Sequence, residues 1–302
     1  MKVSVLQFKP KLLDKAHNLG RLSEMLAGIK TDLVVLPELA TSGYVFNSPQ
    51  EVLSIAEEAG NGESFELFSA LAKEKDCSVV FGFPELDSSF QSPSSSFLSP
   101  TSSFLRKQES PKPNEIPEQA RNEEINTPKL FNSCALINPD GTWKVYRKTH
   151  LFYREKLFFS PGDSGFFVCE AKDGVKIGMM ICFDWQFPEA ARTLALKGAQ
   201  LICHPSNLVL PWCQQAMKTR SLENRVFSLT SNRIGKEGEG ENELNFTGAS
   251  QILNSKGELL ASLSTTEEGI TTVEIEPTEA DNKQVTKLNN AFADRRPEFY
   301  NL

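Results

Sequence analysis

The feature that most restricts the fold is a repeated exchange between short apolar runs and longer stretches at helical spacing. Residues 3–8 alternate at period two, and residues 15–30 follow with Leu19, Leu22, Met25, Leu26 and Ile29 on one side. Residues 33–36 predict a short buried strand, 63–75 a helix, and 78–83 another strand ending at Gly82 and Pro84. Residues 131–138 and 142–146 predict a hairpin around Pro139-Asp140-Gly141. Strands are then expected over 175–181, 201–204, 227–231, 249–254 and 258–262, with helices over 188–197 and 212–224. Strands alternating with helices give an α/β protein, and the hairpins add antiparallel pairs, so a layered fold with mixed sheets follows.

Residues 88–128 break this pattern. They hold ten serines and six of the 17 prolines, with SFQSP, SFLSP and SFLRK as a degenerate repeat. Such a stretch buries too little to offset its ordering entropy. It reads as a disordered or loosely packed insertion, with a weak helix near residues 119–124. A partner-binding tail or lid is the alternative. The remaining 261 residues make a single domain.

Composition excludes several classes. The chain carries 32 Lys+Arg against 39 Asp+Glu, a net charge of −7, which argues against a nucleic-acid surface. No apolar run approaches the roughly 18–20 residues of a membrane span, and the first residues lack a signal core. A cytoplasmic location is expected. Six scattered cysteines without a CxxC pair read as free thiols, and three histidines without i, i+4 spacing argue against structural zinc.

Three segments can carry chemistry. In GMMICFDWQFPEAARTLALKG a buried strand runs to Cys182 and a helix begins near Pro188. That arrangement either exposes a thiol beside aimed backbone N–H groups or merely ends a strand on a buried cysteine. In LVVLPEL, Glu38 follows a buried strand, either as a cap or surface group or as a desolvated base. In YRKTHLF, Lys148 lies just beyond a hairpin strand, where a solvated lysine is the ordinary outcome.

Together, in this order, they resemble the nitrilase superfamily of carbon–nitrogen hydrolases. LPELATSGY supplies Glu38, YRKTHLF supplies Lys148 and ICFDWQFPEAAR supplies Cys182. FGFPE, LFNSCALINPDG, FFSPGD, HPSNLVLP, RSLENRVF and ADRRPEFY extend the resemblance over the chain outside residues 88–128. It implies a four-layer α-β-β-α sandwich and a homodimer or higher assembly through helices near the nucleophile. It also implies a second glutamate shortly after the lysine, which Glu155 supplies.

The roles implied are Glu38 as base, Cys182 as nucleophile, Lys148 and the Phe183 backbone N–H as oxyanion partners, and Glu155 as support. No metal or organic cofactor is required. Tyr44, Trp185 and Asn207 are candidate pocket residues. His150 and His204 read as structural or lining, and Arg225, following Glu223, as half of a structural ion pair.

The resemblance is nearest to the branch of small archaeal-type nitrilases and N-carbamoylputrescine amidase-like enzymes. It implies hydrolysis of a small aliphatic amide or N-carbamoyl compound through a cysteine thioester, releasing ammonia. A nitrile substrate is the alternative within that class. Acyl transfer and a non-catalytic binding role are the alternatives outside it.

Overall fold

The computed structural model describes residues 1–87 and 128–300; the expected insertion and its weak helix lie outside these, apart from Pro128. The first sheet is built from β1 (Lys2–Gln7), β2 (Leu33–Val35), β3 (Glu57–Glu58), β4 (Ser78–Leu86), β5 (Leu130–Ile137) and β6 (Trp143–Arg147). Helices α1 (Lys15–Leu26), α2 (Pro49–Ile55) and α3 (Glu63–Lys75) fall between its earlier strands. The second sheet uses β7 (Val168–Glu170), β8 (Lys176–Met179), β9 (Leu201–Ser206) and β10 (Phe227–Asn232), with α4 (Pro188–Leu196) and α5 (Cys213–Asn224) as crossovers. A separate ribbon, β11 (Ile234–Glu237) and β12 (Leu244–Thr247), precedes β13 (Gln251–Leu253) and β14 (Leu259–Ser262). Finally β15 (Gly269–Glu274) returns to the first sheet, antiparallel to β1.

The strand orders are β15-β1-β2-β4-β5-β6, with β3 beside β4, and β14-β13-β10-β9-β8-β7. In each sheet the central pairs are parallel and the outer ones antiparallel. The sheets pack face to face, with Val3, Val5 and Val35 meeting Met179, Ile202 and Leu229 in one buried cluster. On the far side of the first sheet, Leu22 and Leu26 of α1 and Phe65 and Phe68 of α3 cover Val34, Val79 and Phe81. On the far side of the second, Leu194 of α4 and Met217 of α5 do the same. The layers run α-β-β-α, as expected. Because β2 is buried on both faces, its sequence is a continuous Leu-Val-Val run rather than an alternating one.

Most predicted elements are present with shifted ends. The first helix stops at Leu26 rather than at residue 30. Ile29 closes the following turn onto the Leu26 carbonyl at 3.1 Å and packs back on the α1 cluster, so it continues the apolar spacing without being helical. The strand predicted over 78–83 runs on to Leu86 through Pro84. The elements α2, β3 and β7, the β11–β12 ribbon and β15 have no counterpart in the sequence reading. Half-exposed Thr271 and exposed Thr272 leave β15 without a strong apolar signal, and its partner β1 is distant in sequence.

Strands β4 and β5 pair as far as Leu86 with Leu130, and the Asp87 N–H still donates to the Lys129 carbonyl at 3.0 Å. Replacing residues 88–128 with an Asn-Gly turn should leave the melting temperature within a few degrees of the parent, because closing a shorter loop favours the fold by on the order of 1–2 kcal/mol. Circular dichroism melts check this; a fall of roughly ten degrees or more would give the excised stretch a packing role.

Candidate active site

Four separate stretches bring Glu38, Lys148, Glu155 and Cys182 to one buried place. Glu38 lies three residues beyond β2, where the chain crosses β4. Gly82 makes that crossing possible: a Cβ there would stand 2.5 Å from the Leu39 nitrogen and 2.6 Å from the Glu38 Cα. Lys148 directly follows β6, and Gly162 backs it just as closely, since a Cβ there would collide with the Arg147 and Lys148 carbonyls. Glu155 sits in a short 3-10 turn, Tyr153–Leu157, that its own carboxylate caps by accepting the Phe152 N–H at 3.2 Å.

The Lys148 ammonium, inaccessible to solvent, donates to Glu38 Oε1 at 2.6 Å and to Glu155 Oε1 at 2.8 Å. Asn132 on β5 donates its amide to the same Glu38 oxygen at 2.7 Å, and the Tyr44 hydroxyl donates to Glu155 Oε1 at 2.5 Å. The other Glu38 oxygen, Oε2, is buried without a hydrogen-bond partner. Tyr44 is itself held from behind, where Glu237 Oε1 accepts its backbone N–H at 2.6 Å and buried Arg233 holds Glu237 Oε2 at 2.9 Å.

Cys182 begins a 3-10 turn, Cys182–Gln186, between β8 and α4. Its φ of 40° is left-handed, a conformation that costs a non-glycine residue on the order of 1 kcal/mol or more. His204 on β9 holds this turn through Nε2 and the Cys182 carbonyl at 2.9 Å. Burial drives the His204 pKa down to about 4, so the ring is neutral and Nε2 carries the donated proton.

The charges are tightly linked. Burial pushes the Glu38 carboxyl up to about 7, with Glu155 adding to it and Lys148 opposing it. Burial works against the Lys148 ammonium, but Glu155 and Glu38 prevail and hold it well above the usual lysine range. Burial and Glu38 raise the Cys182 thiol, against the pull of Lys148 and of the Asn207 backbone N–H. The resting thiol is therefore protonated, and a carboxylate able to take its proton near neutrality stands in the same cluster.

A small, tight cleft lies beside Cys182, lined by Phe152, Phe183, Trp185, Asn207, Leu208 and Val209 among others. Trp185 and Asn207 both line this cleft. The Asn207 carboxamide is buried with neither its oxygen nor its nitrogen hydrogen-bonded. Tyr44 lies beside Glu155 instead of in this lining. His150 and His204 hold backbone and carboxylate groups, in keeping with a structural reading. The ion pair expected of Arg225 is absent: Glu223 pairs with Arg220 at 3.1 Å, while the αL geometry of Arg225 turns its guanidinium to the Gln284 carbonyl. Asn132, Gly82, Gly162 and Asp184 were not singled out, although each lies inside a quoted motif. Among the described residues no group of three His, Cys, Asp or Glu stands ready to hold a metal, and no helix is long and apolar enough to cross a membrane.

The sequence pattern of carbon-nitrogen hydrolases matches residues 2–283. The chain belongs to the carbon-nitrogen hydrolase family. It is 37% identical over 303 residues to a nitrilase of Pyrococcus abyssi, covering 99% of each chain. It is 35% identical over 199 residues to an N-carbamoylputrescine amidase of Arabidopsis thaliana, covering 60% of this chain and 65% of that one. In three dimensions it resembles an amidase from Nesterenkonia sp. AN1, solved with acrylamide added to its active-site cysteine, at a TM-score of 0.69 and 21% identity over 99% and 98% of the two chains.

In this carbon-nitrogen hydrolase, Lys148 is the one cation among the described residues that hydrogen-bonds Glu38 and Glu155. Lys148→Met leaves two carboxylates facing each other in a dry site, and should cost about 3–5 kcal/mol of stability. Without the opposing ammonium the Glu38 carboxyl is pushed up further, so the loss is fullest at pH 8 and shrinks by pH 5.5, where Glu38 takes a proton. Urea titrations at the two pH values check this, and equal losses at both would contradict it.

Proposed function

We propose that this chain hydrolyses a small, neutral amide or N-carbamoyl compound through a thioester on Cys182. The observation that carries the reading is the shared ammonium: Lys148 bonds Glu38 and Glu155 beside a buried thiol, leaving Glu38 Oε2 open to accept a proton. The cysteine adduct in the Nesterenkonia amidase structure and the amidase name of the Arabidopsis relative support it.

The steps follow from the groups present. Glu38 takes the thiol proton, and the thiolate attacks the substrate carbonyl carbon. The resulting oxyanion is held by the Lys148 ammonium and the Phe183 backbone N–H. Protonated Glu38 returns its proton to the leaving nitrogen, the C–N bond breaks, and ammonia or an amine departs. Glu38 then takes a proton from water, whose oxygen attacks the thioester. The C–S bond breaks, the acid leaves and the thiol is restored. Glu155 orients Lys148 throughout. The mostly apolar lining suits a small uncharged acyl group, with the Asn207 amide among its polar groups.

A nitrile is the second reading, favoured by the name of the Pyrococcus relative. A panel of short amides, N-carbamoyl amines and nitriles decides between them by ammonia release and by the products formed. Cys182→Ala should abolish turnover with the fold intact, while Cys203→Ala should retain it. Activity surviving in the first and lost in the second would sink the assignment.

We also propose a homodimer formed through the α4–α5 face, which exposes Leu196, Trp212 and Leu222. Light scattering should give about twice the chain mass, and a monomer at micromolar concentration would exclude this face as a stable interface. A cytoplasmic setting accords with the unpaired thiols.

A further inference from the structure

Asp184 is a charged side chain fully shut away from solvent, and the steps above do not use it. Its carboxylate accepts four hydrogen bonds, two at each oxygen. Oδ2 takes the Tyr146 hydroxyl at 2.8 Å and the Ile181 N–H at 2.9 Å. Oδ1 takes the His150 N–H at 3.1 Å and faces His150 Nδ1 at 2.8 Å. The positions of these donors are the point. Tyr146 and His150 stand two residues before and two residues after Lys148. Ile181 immediately precedes Cys182, and Asp184 itself follows it by two.

We propose that Asp184 is a positioning residue that locks the segment bearing Lys148 to the turn bearing Cys182. One carboxylate grips Lys148 from both flanks across the gap between the two sheets. It also closes the Cys182 turn from two directions, because the Asp184 N–H donates to the Ile181 carbonyl at 3.0 Å while its side chain accepts the Ile181 N–H. That double closure holds Cys182 at its left-handed φ. The two arms are themselves braced: the Tyr146 ring stacks on Phe166 at 5.5 Å, and the His150 ring lies on Phe187 at 3.7 Å, where α4 begins. A buried carboxylate is an expensive way to fill space. Here all its side-chain bonds go to the flanks of two reacting groups.

This inference rests on the hydrolase reading for its kinetic consequence, so the test carries one readout that needs no turnover. Asp184→Asn turns amide hydrogens toward existing donors, and Tyr146→Phe removes one hydroxyl while keeping the ring. Each variant is confirmed as folded by circular dichroism, then assayed for kcat and KM on the best substrate of the panel. The rate of Cys182 alkylation by iodoacetamide is followed in parallel by peptide mapping. Misplacing Lys148 against Cys182 should lower kcat roughly 10- to 100-fold with KM held within about twofold. Alkylation should slow about tenfold as the thiolate loses its cation. The double variant should be no worse than Asp184→Asn alone, because both changes break the same bond.

Folded variants with parental kcat and alkylation rate, or losses that multiply in the double variant, overturn the proposal. Should Asp184→Asn not fold, Tyr146→Phe decides alone by the same criteria. Should the parent release no ammonia while Tyr146→Phe still slows alkylation, the positioning role stands and the hydrolase reading falls.

Discussion

An ammonium held between two carboxylates, out of reach of water, is the constraint that the rest of the molecule serves. Lys148, Glu38 and Glu155 meet at 2.6 and 2.8 Å with essentially no solvent contact. None of the three charges tolerates burial alone, and together they still leave an excess of negative charge. Asn132 and Tyr44 reduce that excess by donating to the carboxylates. Each added donor needs its own anchor, which is why β5 and the Arg233–Glu237 pair behind Tyr44 belong to the site as much as the charged groups do.

The same requirement explains the tight backbone around the site. Glu38 and Lys148 sit just past strand ends, where the chain is free to turn, yet both are fixed from behind by crossing backbone at glycines that leave no room for a Cβ. Cys182 is fixed differently, by a strained turn whose left-handed residue is the cysteine itself. Strain there is tolerated because the α4 and β9 elements on either side are well packed, and because His204 and Asp184 satisfy the turn's backbone groups.

Glu38, Lys148 and Cys182 were legible because each follows a recognisable strand within a motif, and a strand end is where a polar side chain can enter a buried site. The layered fold was legible for the same reason: strands buried on both faces are written as unbroken apolar runs. Asn132 and Asp184 were not, although both lie in quoted motifs. An asparagine within a strand or an aspartate after a cysteine acquires its role from partners 94 and 34 residues away. Strand β15 and the β11–β12 ribbon were missed because their faces are half exposed and their apolar signal is weak. Arg225 was misread because its neighbour Glu223 pairs backward along α5 with Arg220 instead.

Strand β1 lies between β2 and β15, and its first pair joins Lys2 to Glu274. During synthesis that strand therefore emerges long before the partner for one of its edges exists. At about 5–20 residues per second the wait is roughly 15–50 s. For that interval an apolar strand presents an open row of backbone donors and acceptors, which is the kind of edge that other chains can pair with. The sheet from which Glu38 projects is thus completed only once β15 has been made. Pairing with β15 closes that edge.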